Sequence, residues 1–168
     1  MLSRHFLTKE NHQEVESLFE LLRECHDQNE VHEHFQEISE LWLEHANPNI
    51  RKRMHLAMEC VIEEEAALGI EILDKVLKED AAYPEALHLR GTCEFFLGNY
   101  KKAIAYYEHC LGEEPRHFGA ISGLTSICFL LGDDRKALTW LQKLRAVTPQ
   151  NEALHEQIAL TKEMIMAG

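Results

Sequence analysis

Two consecutive stretches decide the fold: Pro84–His117, PEALHLRGTCEFFLGNYKKAIAYYEHCLGEEPRH, and Phe118–Asn151, FGAISGLTSICFLLGDDRKALTWLQKLRAVTPQN. Each is 34 residues long, and they align without a gap. Leu87 falls on Ile121, Gly98 on Gly132, Ala103 on Ala137, Tyr107 on Leu141, Cys110 on Leu144 and Pro115 on Pro149. Self-similarity at such a period marks an array of stacked units. In each stretch two apolar-periodic runs flank Leu97-Gly98-Asn99-Tyr100 or Leu131-Gly132-Asp133-Asp134. Glycine there suits the left-handed residue that closes one helix, and Asn99 or Asp133 is placed to cap the next. Ala103 and Ala137, with Gly91 on the partner helix, put small side chains where paired helices approach most closely. Pro115 and Pro149 end the second helices, because proline lacks the amide hydrogen and clashes with the preceding turn.

Working outward, Ile50–Tyr83 keeps part of the register, with Gly69 on Ala103, Leu73 on Tyr107 and Val76 on Cys110. It has Glu63-Glu64-Glu65 where the turn glycine belongs, Arg53 at the first core position and Ala81 in place of the closing proline. A turn at the three glutamates and one longer continuous helix both remain open. Taken together, these residues resemble the tetratricopeptide repeat over about 50–151. The resemblance implies an all-α fold: an αα-hairpin solenoid wound into a right-handed superhelix, with units 50–83, 84–117 and 118–151. Each unit has apolar faces that one hairpin cannot cover, so neighbours stack. Residues 152–166 read as an amphipathic capping helix, with Leu154, Ile158 and Ile165 inward and Glu156, Lys162 and Glu163 making a polar outer face.

Residues 1–49 are organised differently. Val15, Leu18, Phe19, Leu22 and Cys25 recur at helical spacing, as do Val31, Phe35, Ile38 and Trp42. His26-Asp27-Gln28-Asn29 separates the two runs and Asn47-Pro48-Asn49 closes the second. The expectation is a helical hairpin that shields the first face of the array. That hairpin, followed by the repeats with their Arg116–Leu124 stretch, resembles small bacterial tetratricopeptide proteins of unassigned function.

The chain has 168 residues, 45% hydrophobic and 27% charged, an ordinary globular balance. Its formal net charge is −12, and residues 1–49 hold 11 acidic against 3 basic side chains. Phosphate backbones and anionic membranes repel such a chain unless it has a basic patch. The only tight basic cluster is Arg51-Lys52-Arg53. Nucleic acid is therefore not an expected partner. The longest apolar runs, such as Ile127–Leu131, are too short for a membrane span. Five cysteines without CxxC spacing sit among apolar residues, as buried free thiols do. They point to a reducing compartment. Met1–Lys9 is acid-free and holds Arg4, a presequence-like feature that Glu10, Glu14 and Glu16 interrupt. The cytoplasm is expected ahead of the mitochondrial matrix.

A search for chemistry finds little. Of eleven histidines, His32 and His34 point to different sides of a helix, and His34 and His45 lie about 16 Å apart along its axis at 1.5 Å per residue. Cys25-His26 has no further ligand nearby in sequence. The phosphate-loop, nucleophile-elbow, zincin and dinucleotide motifs do not occur. Glu63, Glu64 and Glu65 point about 100° apart and cannot readily share a proton. No catalytic residue, metal or cofactor is expected, and the chain reads as a non-enzyme. Arg90, at a usually apolar position, is expected to pair with Asp80 or Glu79 at the end of the preceding helix.

The resemblance also implies where a partner docks, since the first helix of each unit lines the concave groove. In the second unit its positions are Glu85, His88, Leu89, Thr92, Phe95 and Phe96. In the third they are Gly119, Ser122, Gly123, Ser126, Phe129 and Leu130; the first unit offers Arg51, Met54, His55, Met58, Val61 and Ile62. The lysine–asparagine carboxylate clamp of chaperone-binding members is absent, because the clamp positions hold Met54 and Met58, His88 and Thr92, then Ser122 and Ser126. Two readings stand for Gly119 and Gly123: close approach of a partner's backbone, or tight packing between helices. Phe95, Phe96 and Phe129 are likewise either groove anchors or core. The expected partner is a peptide or helix of another protein. The alternative is self-association, the N-terminal hairpin or C-terminal helix docking into a neighbour's groove. The acidic hairpin is also expected to lie against Arg51-Lys52-Arg53 and cover part of the groove entrance.

Overall fold

The structure is a computed structural model that describes residues 6–167, so Arg4 and most of the presequence-like feature of Met1–Lys9 lie outside the described residues. It contains nine helices among those residues: α1 Lys9–Leu22, α2 Gln28–Leu43, α3 Pro48–Ile62, α4 Ala66–Glu79, α5 Pro84–Phe96, α6 Tyr100–Glu113, α7 Phe118–Leu130, α8 Asp134–Val147 and α9 Glu152–Ala167. The helices α5, α7 and α9 start at equal steps of the sequence repeat. Each helix packs on the next in chain order. In addition α3 touches α5, and α5 touches α7. First helices in mutual contact form the inner side of a curved stack.

Local chemistry sets the boundaries. Gly98 and Gly132 close α5 and α7 with φ of 73° and 71°, the left-handed conformation glycine adopts without penalty. In the first unit Glu64 adopts it too, with φ 58°. The three glutamates therefore make a turn and not a continuous helix, although no glycine is there. Asp133 caps α8 by accepting the Lys136 amide at 3.1 Å. Asn99 does not cap α6; its side-chain amide instead donates to Glu94 at 2.7 Å. Asn47 starts α3 by accepting from the Asn49 amide, with Pro48 at the first helical position, so this motif opens a helix and does not close one.

The N-terminal hairpin lies further along the array than an end shield would. Val15, Phe19, Leu22, Val31, Ile38 and Trp42 share one buried cluster with Met54, Leu89 and Phe118 from three successive units. Trp42 is only 1% exposed and stacks on His117, with ring centroids 4.3 Å apart. The Tyr83 hydroxyl donates to the Trp42 carbonyl. Tyr83 and His117 hold the same repeat position, just before α5 and α7, and both reach Trp42, Tyr83 through its hydroxyl at the backbone carbonyl and His117 through its ring at the indole. Arg116 fixes α1 by donating through both terminal nitrogens to Glu16, at 3.0 and 2.8 Å, while its guanidinium lies 4.0 Å above the Phe19 ring. Arg51 meets Glu44 of the hairpin at 3.6 Å, but Arg53 pairs with Glu79 of its own unit.

At the other end, α9 buries Leu154, Ile158 and Thr161, with Ile165 half-buried. Its outer face is not purely polar, since Leu160, Met164 and Met166 are exposed beside Glu156, Lys162 and Glu163.

Candidate partner-docking site

The inner face is only partly open. Met54, Glu85 and Leu89, which the resemblance places in the groove, are buried where α2 crosses α3 and α5. The stacking of Phe35 on Phe118, 3.8 Å between centroids, carries this cover as far as α7. Beyond it, Phe96, Ser122 and Ser126 are exposed, and His88 and Thr92 are half-buried.

The small residues of α7 are packing slots. A Cβ on Gly119 would lie 2.7 Å from Nε2 of His88, so the space over Gly119 is filled by that imidazole and is not open to a partner. A Cβ on Gly123 would lie 2.6 Å from Cε2 and Cζ of Tyr107. Gly91 meets the other edge of the same ring, with a Cβ placed 2.8 Å from Cδ1 and Cε1. One tyrosine is thus held between α5 and α7, each carrying glycine where it passes. The Thr92 hydroxyl lies 3.2 Å from the Tyr107 hydroxyl. Phe95 and Phe129 are half-buried against the second and third cores, which removes them as fully exposed anchors.

Beneath this face lies a polar cluster that sequence reasoning missed. Glu85 is buried, with one carboxylate oxygen 3.2 Å from Nδ1 of His88 and the other 2.9 Å from Nε2 of His117. Burial alone raises a carboxyl pKa, but the two histidines outweigh it and hold Glu85 at about 2. Burial pushes His117 below its ordinary value, only partly offset by the bond to Glu85. The three ligating atoms lie within 4.8 Å of one another, a spacing that could suit an ion. The tautomer argues against one. Nδ1 of His117 accepts the Ala120 amide at 3.2 Å, so in the neutral ring Nε2 keeps its hydrogen and donates it to Glu85. A metal-bound ring has the reverse pattern, lone pair on the metal and N–H given to a second partner. The cluster acts as a hydrogen-bonded tie between two units.

Arg90 also finds other partners than the sequence suggested. It donates to Asp74 at 2.8 Å and Glu94 at 2.6 Å, and lies 4.8 Å from the Tyr106 ring centroid. Asp80 instead faces His45 at 3.2 Å and accepts the Ala82 amide. The reason is antiparallel geometry: a residue two turns into α5 faces one about two turns before the end of α4, which is Asp74.

One exposed feature keeps the period. Ile62, Phe96, Leu130 and Met164 occupy the same position of successive first helices and are 72%, 43%, 60% and 52% exposed. In a stacked array, equal positions fall in a row. Comparison with known proteins agrees with this architecture: the Tetratricopeptide repeat family model matches residues 97–160. Residues 97–160 thus carry the tetratricopeptide repeat pattern. It is 28% identical over 153 residues to a TPR repeat-containing protein of Rhizobium etli, covering 91% of this chain and 75% of that one. Tetratricopeptide repeats generally mediate protein–protein interaction, and the family is generally non-enzymatic. No helix among the described residues is long and apolar enough to cross a membrane.

Proposed function

We propose that this chain is a non-enzymatic tetratricopeptide repeat scaffold that docks a peptide or helix of a partner protein on the part of the inner face its own hairpin leaves open. The observation that carries the reading is the periodic row Ile62, Phe96, Leu130 and Met164, apolar and exposed in every first helix. Exposed apolar side chains in a row supply anchor points of the kind that dominate binding energy. Ser122 and Ser126, also exposed, leave room beside them. The carboxylate clamp of chaperone binders is missing, so the partner is read by apolar contact and not by its terminal carboxylate.

The test compares affinity capture from lysate of the source cell by the full chain, by Phe96→Ala and by Ser126→Arg. Both variants should lose the same captured protein while melting within a few degrees of the parent. Unchanged capture by both would refute the reading. The exposed Leu160, Met164 and Met166 of α9 support self-association as a second reading. Concentration-dependent sedimentation, abolished by Met164→Asp, would favour it.

A further inference from the structure

We infer that the cleft between α2 and α3 is a docking site for a lysine- or arginine-rich amphipathic helix, a statement that rests on the reading of this chain as a protein-docking scaffold. Two cavities of about 560 and 550 Å³ open along this boundary, and they share Glu40 and Leu43, so they form one trough. Its apolar floor includes Leu43, Met58, Ile62 and Phe118. Ile62, 72% exposed, adds apolar surface contiguous with that floor. The rim is acidic, formed by Glu14, Glu37, Glu40 and Glu44.

Charge selects the occupant. The α2 segment contains no lysine or arginine. Glu44 is met by His55 at 2.7 Å and Arg51 at 3.6 Å, and Glu37 by His34 at 3.4 Å. Among the described residues Glu14 and Glu40 have no ion-pair partner, so uncompensated negative charge overlooks an apolar floor. A segment with apolar residues along one face and cations on its flanks satisfies both. A second copy of this chain does not: it carries a net charge of −12, and Arg51 and Arg53 of its basic cluster are already engaged. Nucleic acid and anionic lipid are repelled for the same reason. The trough follows α2 from His32 to Glu44, about 18 Å at 1.5 Å per residue, which matches about three turns of helix.

The probe is a labelled peptide of leucine and lysine, about 14 residues long, with leucine at helical spacing; the control replaces each lysine by glutamate. Binding to the full chain is read by fluorescence anisotropy at low and raised salt, and its place by amide chemical shifts. The lysine peptide should bind at least about tenfold more tightly than the control, and more weakly as salt screens the rim. Shifts should cluster around Leu43, Met58 and Ile62. The pair Glu14→Lys and Glu40→Lys should weaken it about tenfold, whereas Thr139→Ala on α8 should not. Ile62→Asp separates docking from mere charge attraction: a docked peptide loses affinity, a diffusely held one gains it. Equal binding of both peptides, shifts elsewhere, tighter binding to Ile62→Asp, or a dimer of the chain that Ile62→Asp dissolves would overturn the inference. Those outcomes leave the capture test at Phe96 and Ser126 independent.

Discussion

Gly123→Ala gives opposite results under the two readings of the small-residue face of α7. If the face were open, alanine would stabilise the helix by about 1 kcal/mol through propensity alone. In the structure its Cβ would sit 2.6 Å from two carbons of the Tyr107 ring. That ring is 2% exposed, is bounded on its other edge by Gly91, and has its hydroxyl 3.2 Å from Thr92. It cannot retreat cheaply. Overpacking costs about 1–3 kcal/mol against that gain, so the net effect should be a loss of up to about 2 kcal/mol. The neighbouring units place Leu73 and Leu141 where the second has Tyr107, so Tyr107→Leu gives a background the repeat itself tolerates. There Gly123→Ala should become neutral or stabilising, by up to about 1 kcal/mol. The assay is urea denaturation of all four proteins, analysed as a double-mutant cycle. Stabilisation by Gly123→Ala in the parent chain would refute the packing argument and return α7 to the list of open surfaces.

Other consequences follow from the same contacts. Glu64→Gly should raise stability by about 1 kcal/mol, because a non-glycine residue at φ 58° is strained and the triplet loses one like charge; thermal melting reads it. Trp42→Ala should cost about 3–5 kcal/mol by chemical denaturation and expose the α1–α2 hairpin to limited proteolysis before α5–α8, since the Trp42 ring stacks on both His117 and Phe118. Acid should destabilise the fold in two steps of the same sign. His117 is held below 6.5, so the unfolded chain takes up its proton first as pH falls through that value. Glu85, held at about 2 against 4.5, contributes stability that is present above about pH 4.5 and lost as pH falls toward 2, about 3 kcal/mol by the shift. Urea midpoints between neutral and acid pH should therefore fall, and Glu85→Gln should flatten the lower step; a flat profile in the parent chain would contradict the tie.

The period, the glycine turns and the starts of α5 and α7 were legible because they are local: a fixed spacing, a residue that tolerates positive φ, a proline that cannot continue. The start of α3 at Asn47-Pro48 instead reads in the sequence as an end. The glutamate turn shows the limit of that reasoning. The register marked where the chain had to turn, and the stacking of neighbouring units imposed a left-handed residue on Glu64 against its preference. The placement of the hairpin was not legible. It depends on Arg116 meeting Glu16, distant in sequence, and on Trp42 meeting the Tyr83 hydroxyl and the His117 ring, neither of which leaves a periodic trace. Gly119 and Gly123 were ambiguous for a related reason. A glycine records that space is needed and not what fills it, and the fillers, His88 and Tyr107, come from the preceding unit. Half of the Glu85 cluster was visible in the spacing of Glu85 and His88. His117 joins it only after folding, although its place opposite Tyr83 in the repeat was readable.

The most direct test of the central claim, that a partner protein docks on the open stretch of the inner face, is site-specific photo-cross-linking in the cell of origin. Benzoylphenylalanine at Ser126 or Phe96 should yield one and the same partner adduct, and none at Thr139, which is exposed on α8. Adducts confined to Thr139, or adducts at Ser126 that consist only of a second copy of this chain, would contradict it.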